Sequence, residues 1–159
     1  MKILLAVDSS EYSNKAIKEV ARRPWPSGSI VRVLSVVEPM PPPASELWYD
    51  SGGSLEVVNR EARKRAMELT KATATKLRGS GLKIESAVRV GHPRTEIVDE
   101  ARKWSADLIV LGSHGRTALK RLLLGSVALS VVSHAPCSVE IVRKKATKKS
   151  PRKARNLPA

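Results

Sequence analysis

Five short apolar runs punctuate the chain, and the stretches between most of them carry apolar residues at three- and four-residue steps. The runs are KILLAV (2–7), SIVRVLSVVE (29–38), LKIESAVRV (82–90), ADLIVLG (106–112) and CSVEIVRK (137–144). A run with little polar alternation suits a strand covered on both faces, and β-branched enrichment strengthens that reading. Between the first two runs, Ala16, Ile17, Val20 and Ala21 share one helical face, and Pro24 and Pro26 stop it. A longer helix over about 55–78 carries Leu55, Val58, Ala62, Ala66, Leu69, Thr73 and Leu77, and Gly79-Ser80-Gly81 ends it. Ile97, Ala101 and Trp104 mark a third helix over about 95–105, and SVALSVVSHA (126–135) reads as the fourth. Strand and helix in strict alternation imply parallel strands joined by right-handed crossovers, an open α/β sheet.

Two segments stand outside this alternation. PMPPPASELWYDSGGS (39–54) holds no regular periodicity and is expected as a surface loop. From Arg143 onward the chain carries eight basic residues and no acidic one, more than half of the formal excess of +14. That tail is expected to be disordered in isolation, and to attract polyanions weakly and without sequence preference, because it has no aromatic residue for stacking. A solvated solubility tail is the alternative. The remainder, 1–143, is read as one domain.

Composition narrows the class. Apolar residues make up 42% of the chain and no stretch of about twenty of them is uninterrupted, so no membrane span is expected. The N-terminal apolar run meets Asp8 too early for a signal peptide, and the lone Cys137 suits a reducing compartment. A cytoplasmic protein is the expectation. In the last run Val139 and Ile141 alternate with Ser138 and Glu140, the pattern of a half-exposed or edge strand that invites a partner strand. His92 and His134 show no metal-ligand spacing with Cys137.

In an open parallel sheet, ligands sit at the carboxyl ends of the strands where connections diverge. The first run ends at Asp8, with the hydroxyls of Ser9 and Ser10 beside it. The fourth ends in GSHGRTALKRLLLGSV (112–127), which carries Gly112, Gly115 and Gly125, with Ser126 opening a helix. This is neither Walker A nor the dinucleotide fingerprint. Glycine lets backbone N–H groups approach an anion, and a helix start adds unpaired donors and the positive end of its dipole. Taken singly, Gly112 ends a strand and Gly125 permits a bend; together with Ser126 and Asp8 they favour a ligand site. Arg116, Lys120 and Arg121 either reach a triphosphate or face solvent on a short amphipathic helix.

The spacing G-x2-G-x9-G-S/T, here Gly112, Gly115, Gly125 and Ser126, resembles the nucleotide-binding pattern of the universal stress protein family. ILLAVDSSEYS, VLSVVEP, VRVGHPRTEIV, ADLIVLGSHG and APCSVEIVR extend the likeness over about residues 1–143, and it is to the ATP-binding branch in particular. The resemblance implies a five-stranded parallel sheet of order 3-2-1-4-5 with helices on both faces, and a homodimer through the last strand, about Cys137 to Val142. It implies ATP or another adenine nucleotide as cofactor, with magnesium or manganese. Asp8 then matches the acidic residue on the adenine and ribose side, with Ser9 beside it, and Val36 the residue whose backbone pairs with adenine. Leu111, Gly112, His114 and Gly115, followed by Arg116, match the loop around ribose and the inner phosphates; Gly125, Ser126 and Val127 match the segment holding the outer ones. Ser138 stands where the family often has proline. Such a domain is read as a nucleotide-dependent stress-response module; the alternatives are a slow ATPase or phosphotransferase on the same site, or a nucleotide-free adaptor.

Overall fold

A computed structural model of the chain describes residues 1–39, 54–115 and 124–143. Within them the apolar runs form strands β1 (Lys2–Ala6), β2 (Ile30–Val37), β3 (Lys83–Val90), β4 (Leu108–Gly112) and β5 (Ser138–Val142). The periodic stretches form α1 (Glu11–Arg22), α2 (Ser54–Lys76), α3 (Pro93–Trp104) and α4 (Ser126–His134). All four strand pairings are parallel and the order is β3-β2-β1-β4-β5.

Alternate side chains of the central strands feed two cores, as the two-residue period requires. Ile3, Leu5, Val31, Val33 and Val110 point to one face, under α1 and α2, where Ala16, Ile17, Val20 and Leu77 cover them. Leu4, Leu34, Ile109 and Leu111 point to the other, under Ile97, Val98 and Ala101 of α3 and Ala128 and Val131 of α4. The absence of Phe is met by branched aliphatics, and β1 and β4, buried on both faces, account for the unbroken apolar runs.

Helix and strand boundaries follow local chemistry. Ser10 caps α1 by accepting the Ser13 N–H at 3.1 Å. The third helix begins at Pro93, two residues before the start read from its apolar face, because proline at the first helical position loses no hydrogen bond there. The fourth strand begins at Leu108 rather than 106. Asp107 instead bridges to β1: its N–H donates to the Lys2 carbonyl at 2.8 Å, and its carboxylate accepts the Lys2 N–H at 2.6 Å.

One buried charge escaped the periodicity argument. Glu100, on α3 and only 3% exposed, accepts Arg32 Nη1 at 2.8 Å and Arg89 Nη2 at 2.7 Å. Arg32 also pairs with Glu85 at 2.6 Å and lies 4.4 Å over the Trp104 ring. Glu100 is buried on α3 beside Ile97 and Ala101, and only its two partners from β2 and β3 make that burial tolerable. The long segment at 39–54 lies outside the described residues from 40 to 53, as do Arg116, Lys120, Arg121 and the tail from 144.

Candidate functional site

The connections of β1 and β4, adjacent in the sheet, leave from the same end and run to opposite faces, α1 covering one core and α4 the other. That divergence opens a crevice beyond the carboxyl ends of the two strands. Asp8 stands at its β1 side, held by local bonds: its N–H donates to Ser13 Oγ at 3.1 Å, and its Oδ1 accepts the Ser10 N–H at 3.0 Å. The other carboxylate oxygen faces Gly115. A Cβ placed on Gly115 would lie 3.1 Å from Asp8 Oδ2 and, among the described residues, within 4 Å of nothing else. The two residues, 107 positions apart in sequence, thus form opposing lips of one opening.

The three glycines differ in what they do. Gly112 carries no Cβ because α1 occupies the space: an added Cβ would meet the Tyr12 carbonyl carbon at 2.7 Å and the Ser13 nitrogen at 2.9 Å. It seats the first turn of α1 against the end of β4. Gly125 closes the loop on itself, its N–H donating to the Ser113 carbonyl at 2.8 Å. An added Cβ there would meet His114 Cα and the Ser113 oxygen, both at 3.2 Å. Gly115, by contrast, is exposed and borders the opening. Among the described residues, a Cβ at this last glycine would meet no backbone atom, only the Asp8 carboxylate.

Gly125 is also the N-cap residue of α4 and offers no side-chain cap. The Leu129 N–H donates to its carbonyl at 2.9 Å, so the amides of Ser126, Val127 and Ala128 precede the first intrahelical bond. No acidic residue occupies that first turn. Ser126 is exposed, whereas Val127 packs against the second core and contributes through its backbone. Leu111 is likewise buried, so its role at the site is to hold the strand end.

On the far side of β1, the ladder supplies another feature. The Ile30 N–H donates to the Met1 carbonyl, and the Val7 N–H donates to the Leu34 carbonyl at 2.8 Å. By the alternation of a parallel ladder, Val36 turns its own N–H and C=O in the same direction as Ile30 and Leu34. Beyond Val7, however, β1 has ended, and no backbone bond joins Val36 to it. A donor–acceptor pair therefore faces the crevice from β2.

His114 is half-buried, its Nδ1 3.0 Å from Ser113 Oγ and its ring 4.9 Å from that of Tyr12. Its carbonyl accepts the Ser10 hydroxyl at 3.5 Å. Ser10 is thus occupied as a cap and a loop tie, while Ser9 remains exposed at the mouth. Tyr12 was not among the residues singled out from sequence; its only signal was position, two residues after that cap. Among the described residues no group of three or more His, Cys, Asp or Glu gathers as a metal site. Arg116 lies outside the described residues.

Comparison with known proteins decides the lineage. The model of the universal stress protein family matches residues 1–143. The chain belongs to this family. Universal stress protein MJ0531 of Methanocaldococcus jannaschii is 34% identical over 143 residues, covering 90% of this chain and 82% of that protein. The solved structure of MJ0577 from the same organism superposes with a TM-score of 0.79 at 29% identity, covering 92% of this chain and 97% of that one. A universal stress protein of Archaeoglobus fulgidus, solved in complex with dAMP, superposes with a TM-score of 0.60 at 25% identity, covering 90% and 98%. The sheet of order 3-2-1-4-5 is the fold these relatives share with the chain.

Proposed function

We propose that the crevice between Asp8, Val36 and the 111–127 segment binds ATP, and that the chain acts in the cytoplasm as a nucleotide-dependent stress-response module. The observation that carries this reading is the close approach of Gly115 to Asp8 Oδ2, beside a helix start without a side-chain cap. The dAMP bound by the Archaeoglobus fulgidus relative supports an adenine nucleotide as the ligand class.

In this reading each group has a physical task. The outward N–H and C=O of Val36 match the donor–acceptor edge of adenine, and Asp8 accepts a ribose hydroxyl. His114 and Gly115 border the inner phosphates. The first amides of α4 supply donors and the positive dipole end to the outer ones, with the Ser126 hydroxyl adjacent. A magnesium or manganese ion, held by phosphate oxygens and water, would neutralise charge that these amides leave uncompensated. Arg116, next after Gly115 in the chain, adds a further cation to this reading. Nucleotide then acts by occupancy, biasing partner contacts to the extent that it binds one state more tightly. The protein works as a homodimer through β5, an edge strand whose Val139 and Ile141 direct backbone groups away from β4. Residues 1–143 form the nucleotide-binding domain, and 144–159 an appended basic segment with weak polyanion affinity.

Thermal unfolding with ATP-magnesium, AMP and GTP, repeated on Gly115→Asp, tests the reading. Ligand at about a hundred times its dissociation constant adds about 2.7 kcal/mol, or roughly 5–10 °C for a chain of this size. The adenine nucleotides should raise Tm and GTP should not. Aspartate at 115 would set a second carboxylate against Asp8 and abolish the shift. No shift with any nucleotide would remove the proposal.

A further inference from the structure

The β3 edge of the sheet, opposite β5, carries a second recognition surface made by residues other than those of the crevice. A groove of about 620 Å³ runs between α2 and β3. Its helical wall comes from one stripe of α2 in which Arg63, Met67 and Lys71 recur at four-residue steps, with Arg78 in the turn just beyond the helix. Its floor is β3, with Ser86, Val88 and Val90. Met67 is 61% exposed and Val90 39%, large apolar surfaces to leave in water.

The backbone beneath that groove is equally unpartnered. The Lys83 N–H donates to the Ser29 carbonyl and the Gly91 N–H to the Val37 carbonyl. Odd-numbered residues of β3 therefore turn their N–H and C=O toward β2, and even-numbered ones turn theirs away. Ser86, Val88 and Val90, whose side chains floor the groove, are those with outward backbone groups. β3 ends the sheet, and among the described residues no backbone hydrogen bond meets these groups.

Charge selects the occupant. Arg63, Lys71 and Arg78 line the groove without a single acidic residue, and none of the three pairs with a carboxylate among the described residues. Pairing with a second copy would bring both sets of cations to one seam. An incoming strand that carries carboxylates at the ends of an apolar face meets opposite charge instead, and completes the ladder. The geometry points to β3 and α2 as a docking site for an extended acidic peptide segment of another protein, added to the sheet as a sixth strand.

The probe is a fluorescent acetyl-ETVTVTE-amide, whose alternate side chains present Glu, Val, Val and Glu on one face, titrated with the full chain at 150 mM salt. Its twin, acetyl-KTVTVTK-amide, reverses the charge, and a third version is N-methylated at every Val and Thr to remove backbone pairing. Saturable binding is expected, weakened at least tenfold by either change and by Met67→Glu or Lys71→Glu, both at exposed positions and both leaving the basic tail intact. Amide exchange at Val88 and Val90 should slow with the peptide present. Equal binding of the twin or of the methylated peptide overturns the proposal, as does equal binding to both variants, which would assign the peptide to the tail. No binding at all also overturns it. Groove-dependent self-association in sedimentation without peptide would give the edge to a second copy and overturn it equally.

Discussion

Gly112 and Gly115 lie three residues apart in one motif, yet the structure gives them opposite sensitivities. In Gly112→Ala the new methyl would sit 2.7 Å from the Tyr12 carbonyl carbon, 2.8 Å from Tyr12 Cβ and 2.9 Å from the Ser13 nitrogen. Two of these atoms are backbone, in the first turn of a helix fixed by the Ser10 cap, so no side-chain rotation relieves the overlap. Either α1 shifts or β4 does, and overpacking of this kind costs about 1–3 kcal/mol. Taking about 2 kcal/mol, Tm should fall by roughly 4–8 °C. In Gly115→Ala the methyl meets, among the described residues, one carboxylate oxygen at 3.1 Å, a side-chain atom that shifts by a few tenths of an ångström to relieve it, so stability should change by no more than about 0.5 kcal/mol. The same substitution should nonetheless reduce any nucleotide-induced shift, because it crowds Asp8 at the opening. Differential scanning calorimetry of the two variants, with and without ATP-magnesium, separates the effects. A Gly112→Ala protein as stable as the parent would refute the claim that this glycine exists to seat α1.

Other outcomes follow from the same geometry. Glu100→Ala should cost about 3 kcal/mol in urea unfolding, the low end for breaking a buried pair, because both arginines reach solvent; a loss under about 1 kcal/mol would mean that the two arginines find water easily. Burial, with Asp107 adding to it, pushes the Cys137 thiol above its usual range. The folded chain therefore keeps its proton where the unfolded chain would release it, and the associated stability, complete below the ordinary thiol range, is lost as pH rises through the raised value. Alkylation rates should accordingly reach half-maximum at higher pH than for a free model thiol, and a profile at the ordinary thiol position would count against this. Ile141→Lys on the β5 edge should convert a dimer to a monomer in sedimentation while preserving the nucleotide-induced shift; an unchanged sedimentation coefficient would move the interface elsewhere.

The sequence alone carried the class of fold a long way. KILLAV and ADLIVLG are unbroken because β1 and β4 lie between two helical layers, and their short length with β-branched residues favours a buried strand over a buried helix. The Gly112-to-Ser126 spacing likewise marked a strand-to-helix connection with a special backbone. What local pattern could not supply was any fact that depends on two distant segments meeting. That Gly112 faces α1, that Gly115 faces Asp8 and that Gly125 folds back on Ser113 are three different fates for one residue type. The apolar period of Ile97, Ala101 and Trp104 left Glu100 unmarked, since Arg32 and Arg89, which make its burial tolerable, arrive from other strands. The edge status of β3, read from residue spacing, looked no different from that of its neighbours. Sequence fixes which faces are apolar, because side-chain direction follows from local backbone geometry. Which groups end up opposite one another, and which backbone donors end up without a partner, is decided only by the order in which the strands assemble.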